Sequence, residues 1–454
     1  MKRFKAYDAH QSYLLPPSPR EWLPKDHLAY FIDNVVDQLD LCEVFAGYEG
    51  TKGQPPYHPE MMVKVWLYGY CVGIRSSRRL ERALHEDVGF RMLSGNQQPD
   101  HWTLSEFRRR HLVALRGLFL QTVRLAQQAG MVKLGQVAID GTKLKANASK
   151  HKAMSYGRME KEEKRLREEI RQYFEAVETT DQAEDQRYGM KRGDELPEHL
   201  KTEEQRLEVI RQAMARLEKQ ARQKAAAEQQ KRREKAERQG RTYWPRKDAN
   251  DAVPSSKAQC NFTDPDSRIM KSADKAFIQG YNGQAAVDVD SQIIVAAQLS
   301  NQAADGPHLV GMVEQVEQAT GKRPREILAD AGYFSEDNVT TLEEHGMSVL
   351  IPPERVRHRE WRDPSPPPLS PLPKDVAVSE RMRNKLKLPE NRERYRKREQ
   401  SVEPVFGQIK EARGLRQFLL RGLDKVSALW QLECAAHNLL KLYRAKKVVL
   451  EATG

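Results

Sequence analysis

The hundred residues from 151 to 250 limit the possible folds more than any other stretch. They carry 25 Lys/Arg and 21 Asp/Glu, too many charges to wrap a globular core of their own. Apolar residues fall at Met159, Leu166, Ile170, Tyr173 and Val177, and again at Leu207, Ile210, Met214, Leu217 and Ala221. The second set steps by three, four, three and four, the a/d seam of a coiled coil. Gly189, Gly193 and Pro197 separate the two sets. The pattern predicts an antiparallel helical hairpin, a largely solvated arm of nearly balanced charge. Its tip, "GMKRGDELPEHLK", and its tail, "KRREKAERQGRTYWPRK", offer cations to DNA or to a second subunit. Strand-like sequence lies on both sides, so the arm reads as an insertion into one domain formed by 131–150 and 251–351.

Upstream, residues 1–130 read as helical. "HPEMMVKVWLYGYCVG" and "SSRRLERALHEDVGFRML" repeat apolar residues at helical spacing. "TLSEFRRRHLVALRGLFLQTVRLAQQAG" opens with Thr103 and Glu106 in capping-box spacing and closes at Gly130. Arg108, Arg109 and Arg110 near its start are either a solvated face or phosphate contacts of a helix-turn-helix-like DNA-binding unit. Downstream of the arm, "AFIQGYNGQAAVDVDSQIIVAAQLS" reads as a hairpin turning at Asp288, Asp290 and Ser291. A helix, a short strand in "EILADAGYF", a further helix and the strand "MSVLIPP" follow. The fold class is therefore α/β, with an antiparallel hairpin in the sheet. Eight prolines between 352 and 373 mark 352–380 as a linker. Residues 381–454 are basic and helical, with 13 Lys/Arg against 5 Asp/Glu from Arg381 to Arg421.

The net charge of +12 favours a polyanionic partner. The four cysteines are far apart and show no CxxC pairing, which suits a reducing cytosol rather than a disulfide framework or a cysteine zinc site. No apolar run is long enough for a membrane span, and the first residues do not read as a secretory signal. A cytoplasmic protein is expected.

Three acids stand out by position. Asp140 closes the apolar run "VAI", Asp330 closes "EILA", and Glu403 lies in the helical "SVEPVFGQIKEARG". Each has an ordinary reading. Asp140-Gly141 makes a turn, Asp330 caps the next segment, and Glu403 favours a helix N-terminus. Together, two strand ends and one helix can bring three carboxylates to one point. Such oxygen ligands suit magnesium, with two ions serving an in-line displacement at phosphorus. Cations surround these acids: Lys143 and Lys145 behind Asp140, Arg398 (with Tyr395 beside it) before Glu403, and Lys410, Arg413, Arg416 and Arg421 after it. Lys410 lies two α-helical turns beyond Glu403, on the same predicted face. Asp264, Asp266 and Asp274 read as loop residues, and His308 as structural.

The motifs "VAIDGTKLKANASKH", "NFTDPDSRIMK", "GYNGQAAVD", "ILADAGYFS" and "EPVFGQIKEARGLRQFLLRGL" occur in this order, preceded by "HPEMMVKVWLYGYCVGIRSSRRLERAL". Together they resemble bacterial insertion-sequence transposases of the DDE type, and more narrowly the IS4-like and IS5-like groups with a helical N-terminal domain. The resemblance implies an RNase H-like catalytic core and magnesium-dependent cleavage and strand transfer at terminal inverted repeats, with Mn2+ as a substitute ion. It assigns Asp140, Asp330 and Glu403 to the acid trio. It assigns Tyr395, Arg398, Glu403 and Lys410 to a Tyr-Arg-Glu-Lys signature, and it implies a homodimer on double-stranded DNA, both ends and target. Four residues separate Arg398 from Glu403 where the commonest form of the signature has three. The arm also follows the first strand, whereas better-known relatives carry an insertion before the helix of the third acid. Other classes are a nuclease without strand transfer, an inactive DNA-binding protein on the same fold, and a coiled-coil scaffold.

Overall fold

The computed structural model describes residues 18–48, 55–188, 198–238, 240–245, 248–272, 275–354 and 376–445. Their helices are α1 Leu28–Val36, α2 Cys42–Phe45, α3 Pro59–Cys71, α4 Ser77–Glu86, α5 Val88–Leu93, α6 His101–Arg110, α7 Leu112–Gln128, α8 Tyr156–Tyr188, α9 Glu198–Arg238, α10 Leu309–Thr320, α11 Glu336–Glu344, α12 Val378–Lys387, α13 Pro389–Gly407 and α14 Leu423–Ala445. Their strands are β1 Gln136–Lys145, β2 Ala153–Ser155, β3 Gln259–Asn261, β4 Arg268–Lys271, β5 Phe277–Asp288, β6 Ile294–Ser300, β7 Glu326–Ala329 and β8 Ser348–Leu350. The chain divides into two compact units. One comprises 1–144, 282–419 and 424–454, and the other 145–281 and 420–423.

In the first unit the sheet runs β6-β5-β1-β7-β8. β1, β7 and β8 are parallel, and β5 and β6 form the expected antiparallel hairpin. Burial explains the composition. Val137, Ala138, Ile139, Ile327, Leu328 and Ala329 are all 0 % exposed, as strands covered on both faces require. Asp288 closes the hairpin. Its Oδ1 accepts from the Ser291 amide (3.1 Å) and hydroxyl (2.9 Å), and its Oδ2 from the amides of Lys133 and Leu134.

The helical N-terminal segment belongs to this same unit. The long helix predicted from Thr103 onward is two helices, α6 and α7, that break at His111. Thr103 is not the cap. The Asp100 carboxylate accepts from the Thr103 amide at 2.7 Å, so the cap lies three residues earlier, at Asp100. At the other end Gly130 takes φ +68° and Met131 N–H returns to Ala126 O at 2.9 Å, the expected left-handed stop.

α14 is buried along most of its length. Its His437 donates through Nε2 to Gln292 O at 2.9 Å, while Nδ1 has no partner among the described residues. Burial depresses this imidazole to about 3 from an ordinary 6.5. Between these values the unfolded chain binds a proton that the folded chain refuses, so stability falls as pH drops below about 6.5. From pH 6.5 to 5.5 the loss is about 1 kcal/mol. Urea unfolding at the two pH values will show this drop in the wild type and a smaller one in His437→Gln; equal drops would contradict it.

In the second unit α8 and α9 form the predicted hairpin. Met159, Leu166, Leu207, Ile210 and Leu217 pack with Tyr156, Ala213 and Cys260, and Ile170 and Met214 border them. The side chains of Tyr173 and Val177, the tip from 189 to 197, residues 246–247 of the tail, Asp274 and residues 355–375 of the proline-rich linker lie outside the described residues. The unit boundaries differ from the expected ones. Residues 251–281 group with the arm, because β3 pairs with β2 at the arm's base and β4 pairs with the first part of β5. Asp264 is buried and accepts from Tyr281 Oη (2.8 Å) and Gly422 N (3.2 Å), which makes it a structural acid. Asp266 accepts from Leu423 N at 2.9 Å. Among the described residues no helix is long and apolar enough to cross a membrane.

Candidate active site

The β1–β7 ladder ends on the pair Ile139↔Ala329. The next residue on each strand is an aspartate, Asp140 and Asp330. Neighbouring strands lie about 4.8 Å apart, and residues level with each other share a face. The register therefore sets the two acids side by side at one end of the buried core. Asp330 leaves the strand and caps a short 3-10 turn, accepting from Gly332 N at 2.8 Å. Asp140 does not leave. β1 continues to Lys145, so Gly141 and Thr142 do not turn the chain. Gly141 is needed for space. A Cβ there would lie 2.4 Å from Gln284 Nε2 and 2.5 Å from Asp305 Oδ1.

Asp305 is the fourth carboxylate of this region, and the sequence reading missed it. Its Oδ1 accepts from Gln284 Nε2 (2.7 Å), Asn282 Nδ2 (2.8 Å) and Lys143 Nζ (2.9 Å). Tyr333 Oη donates to Gln284 Oε1, joining the turn after Asp330 to the same network. A signal was present. Asn282 and Gln284 are buried polar residues two apart in β5, hence on one face. Nothing in "NQAADGPH" itself marked Asp305 as their partner.

α13 supplies the third acid and the main cation. Arg398 is 10 % exposed in its side chain, donates from Nη1 to Asp140 Oδ2 at 2.8 Å, and lies 3.8 Å from Glu403 Oε1 through Nη2. Tyr395 lies buried beneath it, with the guanidinium 5.8 Å from the ring centroid. Burial pushes the Asp140 carboxyl up to about 6. Arg398 and the Gly141 amide oppose that shift, and Asp330 and Asp305 add to it. Burial and the same acids hold the Tyr333 phenol well above its ordinary range.

The predicted trio is therefore not a closed ligand set. Among the described residues no three of His, Cys, Asp and Glu converge closely enough for a metal ion. The physical reason is Arg398, which stands between Asp140 and Glu403, the latter 60 % exposed. Asp140 and Asp330 still suit a divalent cation. Asp140 is a buried carboxylate crowded by two others and balanced by one guanidinium, an environment that stabilises added positive charge.

Several predicted DNA contacts are committed elsewhere. Lys143 is paired with Asp305. Arg398 and Tyr395 face inward. Arg413 is buried beside Glu433 at 3.7 Å. Arg108 is buried over Trp66, 4.4 Å from the ring centroid, and donates to Arg75 O at 2.8 Å. Arg110 donates to Gly47 O and covers Tyr48. Arg108 and Arg413 are buried in these contacts, so phosphate contacts by them do not fit, whereas Arg110 is exposed. Arg109 is exposed and pairs with Glu106 one turn away. Arg421 is exposed and donates to Asn147 O at 2.9 Å, and Lys145 is exposed. The helix becomes π-helical over Gln408–Ala412, so the stretch from Glu403 to Lys410 is not one regular α-helix.

The family model described as transposase domain (DUF772) matches residues 17–110, and that described as transposase DDE domain matches residues 251–439. The second match contains both Asp330 and Glu403. The chain belongs to the insertion-sequence DDE transposases. It is thus an enzyme of DNA transposition. The DDE match begins beyond the arm, leaving Asp140 outside it; for this transposase the strand register, not the match, places Asp140 beside Asp330. No curated protein and no solved structure matched the chain.

Proposed function

We propose that this transposase cuts and joins DNA at its element's terminal inverted repeats, using an RNase H-like core of the IS4/IS5-like kind around Asp140 and Asp330. The observation that carries this reading is the in-register pairing of β1 and β7 that sets the two aspartates level, with α13 bringing Arg398 to one of them. The strand order β6-β5-β1-β7-β8 supports the fold assignment.

Asp140 and Asp330 are the residues that would hold Mg2+ or Mn2+, with Glu403 as third carboxylate. When bound, the two ions supply Lewis-acid activation of a water or 3′-hydroxyl and charge stabilisation at the leaving oxygen. Arg398 keeps Asp140 oriented and balances its charge. Lys145, Arg109, Arg421 and Lys410 are the proposed contacts to duplex DNA, at inverted repeats and target. The protein acts as a homodimer holding two ends, in the bacterial cytoplasm at the nucleoid.

A reaction with labelled end DNA, a supercoiled target plasmid and Mg2+ tests the reading. Joined end–plasmid products are expected. Cleavage without joining would reduce the chain to a nuclease. Binding with neither would favour an inactive DNA-binding relative, a reading that draws on Arg398 standing between Asp140 and Glu403.

A further inference from the structure

The base of the helical arm holds a cavity of about 480 Å³ between the β2–β3 ribbon and the facing helices α8 and α9. Its cations are Lys152, Arg158 and Arg206, its apolar floor includes Phe262 and Ile210, and none of its ten lining residues is acidic.

The contrast with the rest of the arm is informative. Elsewhere on α8 and α9 the arginines mostly meet a carboxylate on their own helix or the facing one. Arg165 pairs with Glu162 and Glu169, Arg211 with Glu163, and Arg233 with Glu237. Such pairs make a self-neutralised, solvated surface. At the cavity Arg206 pairs with Glu162 at 2.8 Å. Lys152 and Arg158 are exposed and form no ion pair among the described residues. The 3-10 turn Lys150–Lys152, capped by Ser149, holds Lys152, and the first turn of α8 holds Arg158, so both cations sit on regular backbone rather than on a loose tail. Lys152 meets no acid among the described residues, Arg158 and Arg206 share the single Glu162, and this excess of positive charge beside an apolar surface matches alternating phosphates and sugars, the chemistry of a nucleic-acid backbone.

We infer that this groove is a second DNA-binding surface, seating the sugar–phosphate backbone of duplex DNA independently of base sequence. The inference rests on the reading of the chain as a DNA transposase, but it concerns a surface that the reaction chemistry does not use. The arm thereby acts as a handle on duplex DNA and not only as a spacer.

The test is fluorescence anisotropy with the full chain in EDTA, so that binding is read without cleavage, on end DNA and on an unrelated duplex of equal length. Lys152→Ala/Arg158→Ala is compared with wild type and with the conservative Lys152→Arg across a salt series. The double variant is expected to bind both duplexes at least about tenfold more weakly near 0.1 M salt, with the log–log salt slope reduced by about 2. Lys152→Arg should behave as wild type. Unchanged affinity and slope in the double variant would overturn the inference and leave the transposase reading intact. Loss confined to end DNA would also overturn it, because a backbone contact carries no sequence preference. Wild type binding neither duplex would overturn both.

Discussion

Glu433→Ala is expected to lower the unfolding free energy by about 3–5 kcal/mol, the effect of removing one partner from a buried ion pair. Glu433 is 0 % exposed and holds two guanidiniums. Arg75 pairs with it through Nε, and through Nη2 at 3.0 Å. Arg413 stands 3.7 Å from its Oε2. Arg75 Nη1 also donates to Arg413 O at 2.6 Å, and Arg108 donates to Arg75 O. The cluster therefore joins the turn between α3 and α4, the segment after α13, and α14. Without the carboxylate, buried Arg413 and partly buried Arg75 face each other with only carbonyl dipoles to offset them. Glu433→Gln keeps acceptor oxygen at the same place and should lose less. Chemical denaturation of the three proteins decides the point. A loss below about 1 kcal/mol for the alanine variant would mean that solvent reaches the cluster.

Asp140→Asn is expected to reduce DNA cleavage by on the order of 10³-fold or more while leaving binding to end DNA within a few-fold of wild type. The substitution preserves shape but removes the charge that Asp140 contributes beside Asp330. It also leaves Arg398 facing an amide, so that the guanidinium turns to Glu403 alone. Binding survives because the proposed DNA contacts are lysines and arginines away from this carboxylate. Single-turnover cleavage and anisotropy on the same preparations separate the two effects. Retained cleavage by Asp140→Asn would remove this residue from the reaction.

Much of this arrangement was legible before the fold was known. The runs "VAI" and "EILA" predict buried strands, and an acid directly after each is conspicuous because a carboxylate at the end of a buried strand needs a partner. The seam from Leu207 to Ala221 announces the arm, and the arm's packing follows it. What was not legible depends on long side chains reaching across the sequence. Arg398 meets an acid 258 positions away, and Arg75 meets Glu433 across 358. An arginine such as Arg108 looks the same in sequence whether it faces phosphate or, as here, a buried tryptophan. The break at His111 and the π-helical turn at Lys410 interrupt apolar periodicity too weakly to be read from it. Asp305 was hidden because its partners come from β1 and β5, and only the sheet brings those strands to one carboxylate.

The central claim is that Asp140 and Asp330 form a metal-dependent centre for DNA strand cleavage. Its most direct test is a cleavage time course on labelled end DNA for wild type and Asp330→Asn, each with Mg2+ and with EDTA. The account predicts cleavage by wild type with Mg2+ alone and none in the other three reactions. Wild-type cleavage undiminished by EDTA, or cleavage by Asp330→Asn at the wild-type rate, would contradict it.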